Sequence, residues 1–290
     1  MLSKIKKFVP WHSRILAKMI LSRLPFGYRL WTRIGVFQHG AMESPDYAWG
    51  VVQKHANEIK GKTGWTGLEL GPGDTITSAV IAPAFGARGL TLVDAGAFAV
   101  DTPSHYAKQV TALQRTHPDA ALPDLAECPD LAAVLDRVGG AYHTEGLRSI
   151  RTLQDGSMDL IFSQAVLEHV RRDEMPDLAR AFRRLIRPDG KMSHVIDFKD
   201  HLGGKWNNMR ISSKLWEKDW FAQDSGFYTN RLPLSEMIRI FTEAGFDVEV
   251  RSTTPRDSAP DARHKLAAEF QSLSDDDLMT ADAHLVMTPA

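Results

Sequence analysis

From Trp65 onward, short and almost wholly apolar runs alternate with segments whose apolar residues recur at helical spacing. WTGLEL (65–70), GLTLVD (89–94) and SMDLIFS (157–163) are short for helices and too uniformly apolar for a sheet with one wet face, so they predict strands buried on both sides. After RRDEM, Leu178, Phe182, Leu185 and Ile186 predict one apolar helix face with Asp173 as N-cap, ended by RPDGK (187–191). KMSHVIDF (191–198) predicts another strand and LSEMIRIFTEAGF (234–246) a helix stopping at Gly245. DVEVRS (247–252) and AHLVMT (283–288) predict a closing strand pair. The alternation predicts an α/β fold: a Rossmann-like, mostly parallel sheet with helices on both faces.

Two segments break the rhythm. Residues 96–150 exceed a simple crossover and carry two helical patterns, SHYAKQVTALQRTH and CPDLAAVLDRV; residues 200–232 are rich in Trp, Asn, Lys and Arg. Long insertions near a sheet's ligand edge are commonly lids or substrate walls. The expected organisation is an N-terminal helical extension over residues 1–60 and one domain over 61–290 containing both insertions. Within residues 1–24, Lys4, Lys6, Lys7, Arg14, Lys18 and Arg23 interleave with Phe8, Trp11, Ile15, Met19, Ile20 and Leu24, and the first acid is Glu43. Such a basic amphipathic pattern suits an anionic membrane surface; a helix packed over the domain's own cleft is the alternative.

Composition narrows the setting. Hydrophobic and charged contents of 43% and 24% are those of a globular chain, and a net charge of −1 gives no pull toward nucleic acid. The single cysteine, Cys128, excludes a disulfide framework and a cysteine-built zinc site, which favours a reducing, cytoplasmic setting, peripheral on the inner face of the membrane if the N-terminus binds it. No apolar stretch approaches the roughly 20 residues of a membrane-spanning helix. Nothing in the sequence bears on oligomeric state.

The chemistry gathers in GLELGPGDTI (67–76). Gly71 and Gly73 permit a tight turn and close approach of backbone to a ligand, with Pro72 stiffening the loop between them. No Walker lysine follows, and Ile76 stands where a dinucleotide motif needs its third glycine. Glu69, a carboxylate ending an apolar strand, would repel a pyrophosphate and welcome a cation. Asp94, ending the second strand, is placed to accept hydrogen bonds from ribose hydroxyls; a turn or capping residue is its plainer role.

ELGPG (69–73), the acid of LTLVDA (90–95), DGSMDLIFSQAVLEHV (155–170) and LIRPDGKM (185–192) come in the order and spacing of the class I S-adenosylmethionine-dependent methyltransferases, which the chain resembles over about residues 65–200. The resemblance implies a seven-stranded sheet and S-adenosylmethionine as cofactor. It implies that Glu69, Gly71 and Gly73 hold the cofactor's methionine part and Asp94 its ribose, and that Ser163 and Gln164 flank the cleft. Two departures stand out: Thr75 replaces a frequent third glycine, and the acid that often meets the adenine amino group has only Glu145 as a nearby counterpart.

Methyl transfer needs alignment, and a base if the acceptor is a hydroxyl. His169 follows the central strand; Asp197, Asp200 and His201 follow the next, so His201 or His169 is the candidate base and Asp200 or Asp197 its orienting partner. His169 also reads as a structural histidine near a helix start. A metal site from His194, Asp197, Asp200 and His201 is not expected, because strand alternation puts His194 and Asp197 on opposite faces. In the second insertion, Asn207, Tyr228, Asn230 and Arg231, with Asn208, Trp206, Trp216 and Trp220, would suit a sugar or another polyhydroxylated acceptor, or would simply pack as an amphipathic lid. The ID..DH and Y.NRL elements resemble, more loosely, members of the family associated with bacterial polysaccharide and lipid-linked glycan synthesis. The expected activity is O-methylation of a sugar or glycan-like hydroxyl; the alternatives are methylation of a small metabolite or lipid amine, and a non-catalytic scaffold of the same fold.

Overall fold

The computed structural model describes residue 13 and residues 42–202, 206–222, 227–260 and 262–290. The amphipathic stretch expected to bind membrane lies outside the described residues. Among those described, no helix is long and apolar enough to cross a membrane.

Seven strands form one sheet: β1 (Trp65–Leu70), β2 (Ala87–Val93), β3 (Ala141–His143), β4 (Met158–Gln164), β5 (Ile186–Asp197), β6 (Phe246–Pro255) and β7 (Thr280–Pro289). The order is β3-β2-β1-β4-β5-β7-β6; β7 runs antiparallel to both neighbours and the remaining pairs are parallel. Helices are α1 (Pro45–Ala56), α2 (Thr77–Ile81), α3 (Pro103–Thr116), α4 (Leu131–Arg137), α5 (Leu147–Thr152), α6 (Met175–Leu185), α7 (Ser213–Trp216), α8 (Asp219–Ala222), α9 (Leu234–Glu243) and α10 (Asp275–Met279). This is the Rossmann-like, mostly parallel architecture expected, with the closing strand pair inverted in sheet order.

Period-two alternation sends side chains of β4 to two cores. Leu160 and Phe162 pack with Leu90, Leu92 and Ile76 under α2 and α3, while Ile161 packs with Leu68, Leu70 and Met192 under α6 and α9. Helix α6 presents Leu178, Phe182 and Leu185 to the second core; each buried Leu or Phe contributes about 1.5–3 kcal/mol. Its N-cap position is Glu174, with no side-chain cap; Asp173, expected there, sits outside the helix near Arg171. RPDG does not form a loop after the helix: β5 begins at Ile186 and runs through it, with a register shift against β4.

Helix α1, expected as part of an extension, belongs to the body of the fold. Val51 and Val52 pack against Ile81 and Leu113, and His55 Nδ1 lies 2.7 Å from Ser193 Oγ on β5. Ser193 also meets His284 Nε2 of β7 at 2.8 Å, so one hydroxyl ties α1, β5 and β7 together. At the opposite edge of the sheet from the ligand side, buried Asp159 pairs with Lys62 (2.7 Å) and Arg187 (2.5 Å). Burial alone would raise this carboxyl, but hydrogen bonds from Lys62, the Thr66 N–H and Arg187 outweigh it and hold the pKa at about 2.

Candidate active site

Strand order reverses between β1 and β4, so the crevice at their carboxyl ends is where an open α/β sheet receives a ligand. Both sequence-predicted glycines sit there in the left-handed region, Gly71 at φ +71° and Gly73 at φ +72°. Gly71 has a second constraint: an added Cβ would lie 2.6 Å from the Val166 methyls. Val166 reaches that place because Ala165, just past β4, also turns left-handed (φ +55°) while its N–H stays bonded to Val195 O at 2.8 Å. The β1 and β4 loops therefore touch, with only a hydrogen atom's width between them.

Asp94 fastens the next loop. Its Oδ2 accepts the Gly73 N–H at 3.0 Å and its Oδ1 the Ala95 N–H at 2.7 Å, while its backbone bridges β3 and the following turn through His143 O and the Gly146 N–H. The residue thus fills the capping role. Beyond it, Tyr142 Oη donates to Gly96 O (3.0 Å) and accepts from the Phe98 N–H (3.1 Å), shaping the loop between Asp94 and α3. Sequence reasoning missed Tyr142 because β3 is three residues long and shows no periodicity. Glu145, the nearest sequence candidate for the adenine amino group, lies exposed before α5, its N–H bonded to Ser149 Oγ at 3.1 Å.

Glu69 is 2% exposed and accepts a hydrogen bond from the Ser78 hydroxyl. Burial, opposed by that bond and reinforced by the nearby Asp94 charge, pushes its carboxyl up to about 7. A desolvated acid beside a second acid is a site for an incoming cation. The sign of the coupling follows: a cationic ligand favours the carboxylate, so binding expels a proton below pH 7, and affinity is expected to rise with pH up to about 7 and then level. Without ligand, the folded state binds the extra proton between the ordinary value of 4.5 and 7, so this residue's contribution to stability falls as pH rises through that window. Titration calorimetry with S-adenosylhomocysteine in buffers of different ionisation enthalpy reads the proton directly. Binding at pH 6 with no proton exchange would show that Glu69 is not the contact.

Other expected contacts fall elsewhere. Ser163 is fully buried, pairs with His194 in the β4–β5 ladder and meets its Nδ1 at 2.8 Å, so it faces the core rather than the cleft. His194 itself stacks between Phe182 and Phe241, and burial lowers its pKa to about 3, leaving it neutral. Gln164, half-buried at the end of β4, lies against His55.

The four expected acceptor contacts are mostly struts. Asn230 Nδ2 donates to Leu167 O (2.7 Å) and Val170 O (3.0 Å), and its Oδ1 accepts from the Leu232 N–H. Tyr228 Oη donates to Glu217 and accepts from the Arg172 N–H. Arg231, left-handed at φ +56° and 4% exposed, donates to Asn208 O and Ile211 O and lies over the Trp216 and Phe270 rings. Asn207 is buried and gives its N–H to Asp200 Oδ2 at 2.6 Å. Trp206 and Trp216 are buried too, and Trp220 is the exposed one of the three. Asn230 and Tyr228 thereby hold the insertion to the segment after β4.

The candidate bases do converge. His169 ends a short 3-10 turn (Leu167–His169), and its ring centroid is 4.9 Å from that of His201. His169 Nδ1 lies 3.0 Å from Tyr228 O; a carbonyl can only accept, so Nδ1 carries the proton of that bond. A backbone carbonyl thus orients His169, where an aspartate was expected. Asp200 closes its own loop through the Leu202 (3.1 Å) and Asn207 N–H groups, and Asp197 accepts the Lys199 N–H (2.8 Å) and pairs with its ammonium (2.9 Å). Sequence reasoning missed Glu168, 3% exposed beside His169; no hydrogen bond of ordinary geometry reaches either of its carboxylate oxygens. Burial, with the Asp197 charge, pushes this acid up to about 8, offset in part by the nearby N–H groups of Glu168 and Asp197.

Residues 68–193 match the family model described as a methyltransferase domain. That stretch runs from β1 to β5 and contains the glycine turn, Asp94 and the loop after β4. Those residues are therefore similar to a methyltransferase domain. No curated protein sequence matches the chain. Among solved structures it is similar to the phosphoethanolamine N-methyltransferase 2 of Haemonchus contortus, in complex with phosphomonomethylethanolamine and S-adenosylhomocysteine, at 15% identity over 83% of this chain and 53% of that one (TM-score 0.46). It is also similar to the CurJ carbon methyltransferase (14%, 85% and 54%, TM-score 0.43) and to an S-adenosylmethionine-dependent methyltransferase from Mesorhizobium loti (16%, 86% and 98%, TM-score 0.42). The chain spans about half the length of the first two.

Proposed function

We propose that the protein transfers the methyl group of S-adenosylmethionine to a hydroxyl of a small or glycan-like acceptor. The observation carrying this reading is the convergence of His169 and His201 at the carboxyl ends of β4 and β5, next to the loop that meets the cofactor turn. Glu69, Gly71, Gly73 and Asp94 hold the cofactor, with Glu69 toward its ammonium and Asp94 toward its ribose. S-adenosylmethionine would supply the methyl carbon: the acceptor oxygen would attack it in line, the O–C bond forming as the C–S bond breaks and S-adenosylhomocysteine leaving as a neutral thioether, while a histidine Nε2 would take the hydroxyl proton. His169, its tautomer set by Tyr228 O, is the better oriented of the two. A sugar or lipid-linked glycan is one such acceptor; Tyr228, Asn230 and Arg231, engaged with the segment after β4 and with the insertion itself, add no weight to it. Membrane attachment through residues 1–24 is proposed on sequence alone.

S-adenosylhomocysteine should bind wild-type protein in calorimetric titration; no binding would sink the reading. With labelled S-adenosylmethionine and a panel of hydroxyl, amine and carbon acceptors, label should enter hydroxyl compounds. His169→Ala is expected to lower kcat by about 10²–10⁴-fold with cofactor affinity unchanged. Label going only to nitrogen or carbon would refute the choice of acceptor atom.

A further inference from the structure

The turn after β4 and the start of the second insertion place three ligating side chains together. Glu168, His169 and His201 each offer one atom, and the three atoms lie within 4.8 Å of one another. Glu168 is the unusual member. Its carboxylate is withdrawn from water and no hydrogen bond of ordinary geometry reaches it, a costly placement unless a cation or donor arrives from outside. His169 is oriented as proteins often orient a metal-binding imidazole, with Nδ1–H held by a backbone carbonyl. The scaffold around the pair is tied down: the Asn230 N–H donates to Glu168 O at 2.7 Å, and the Asn230 side chain brackets the turn at Leu167 O and Val170 O.

We propose that Glu168, His169 and His201 form a binding site for a divalent transition-metal cation. Two imidazole nitrogens and one carboxylate oxygen suit Zn²⁺, Fe²⁺ or Mn²⁺ better than Mg²⁺ or Ca²⁺, which prefer all-oxygen shells. At bond lengths of about 2.0–2.2 Å the ligand atoms would sit about 3–3.5 Å apart, a contraction of up to about 1.3–1.8 Å from the 4.8 Å outer limit seen here. His201, on a half-buried loop, and His169, exposed, can supply it by small side-chain rotations. This set is distinct from the one weighed in the sequence: His194 is locked to Ser163 within the sheet, and Asp200 is committed to its own loop. A cation here would leave positions for water or for an acceptor oxygen. That use rests on the methyl-transfer reading and makes the histidines ligands rather than bases; binding itself does not depend on it.

The test uses the full chain, stripped with a chelator and titrated with ZnCl2 by calorimetry and with CoCl2 by visible absorption. One equivalent should bind, with Co²⁺ giving the ligand-field bands of a low-coordinate nitrogen and oxygen site. Glu168→Gln and His201→Ala should each weaken Zn²⁺ binding at least tenfold while circular dichroism and S-adenosylhomocysteine binding stay as in wild type. No stoichiometric binding by wild type, or binding undiminished in both variants, overturns the proposal. Stoichiometric Zn²⁺ binding lost in both variants, in a protein that binds no S-adenosylhomocysteine, would leave the metal site standing and remove the methyltransferase reading.

Discussion

Asp94→Ala is expected to weaken S-adenosylhomocysteine binding by tenfold or more, measured by titration calorimetry. Two losses combine. On the proposed reading the carboxylate no longer meets the ribose, and the Gly73 and Ala95 N–H groups lose the acceptor that joins the β1 loop to the β2 loop across 21 residues of chain. A hydrogen bond to a charged group is worth about 1.5–3 kcal/mol, and 1.4 kcal/mol is a factor of ten. Asp94→Asn, which can still accept from one N–H, should fall between the variant and wild type. Glu69→Ala is expected to match the tenfold loss by removing the counter-charge, and Glu69→Gln should also flatten the rise of affinity toward pH 7. Affinity within twofold of wild type for both Asp94→Ala and Glu69→Ala would show the cofactor lies elsewhere.

Gly71→Ala should be the more damaging change to the fold, because the new methyl group meets two separate obstacles. A left-handed backbone costs an L-residue about 1–2 kcal/mol, and the Cβ would lie 2.6 Å from both Val166 methyls. Relief of the clash displaces the turn proposed to approach the cofactor, so both thermal stability and S-adenosylhomocysteine affinity should drop, the latter at least tenfold. Val166→Ala separates the terms. In the double variant the steric part should be recovered and the backbone part, about 1–2 kcal/mol, should remain. If Val166→Ala rescues nothing, the two loops do not press on each other as described.

The parts of the fold that could be read from sequence are those where one periodicity had no competitor. β1 was expected at 65–70 and lies there; β4 and the helix before β5 fall within a residue or two, because a strand buried on both faces and a helix with one apolar stripe are strong signals. β3 escaped because three residues carry no period. The start of β5 escaped because Pro188, Asp189 and Gly190 read as a turn, whereas an irregular, shifted register lets the strand run through them. The glycine turn and Asp94 were legible for chemical reasons: a strained backbone and a carboxylate at a strand end have few other uses. The polar residues of the second insertion misled because Asn, Tyr and Arg serve equally to bind a sugar or to satisfy backbone groups, and only their partners in the fold, up to 63 residues away, decide which. Glu168 escaped for the opposite reason: beside a histidine in a short turn, nothing in the sequence says the acid points inward.

The position of β7 also governs when the protein can fold. β6 pairs with β7 alone, and β5 finds its outer neighbour only in β7, so a nascent chain that has reached residue 279 carries a five-stranded parallel sheet with an open edge. The stretch recognised as the methyltransferase domain ends at residue 193 and would leave Ser193 without His284, exposing the edge strand on which the candidate histidines depend. During synthesis, then, the edge beside β5 waits on the arrival of residues 280–289, and a ribosome stalled before them should present a substrate for chaperones.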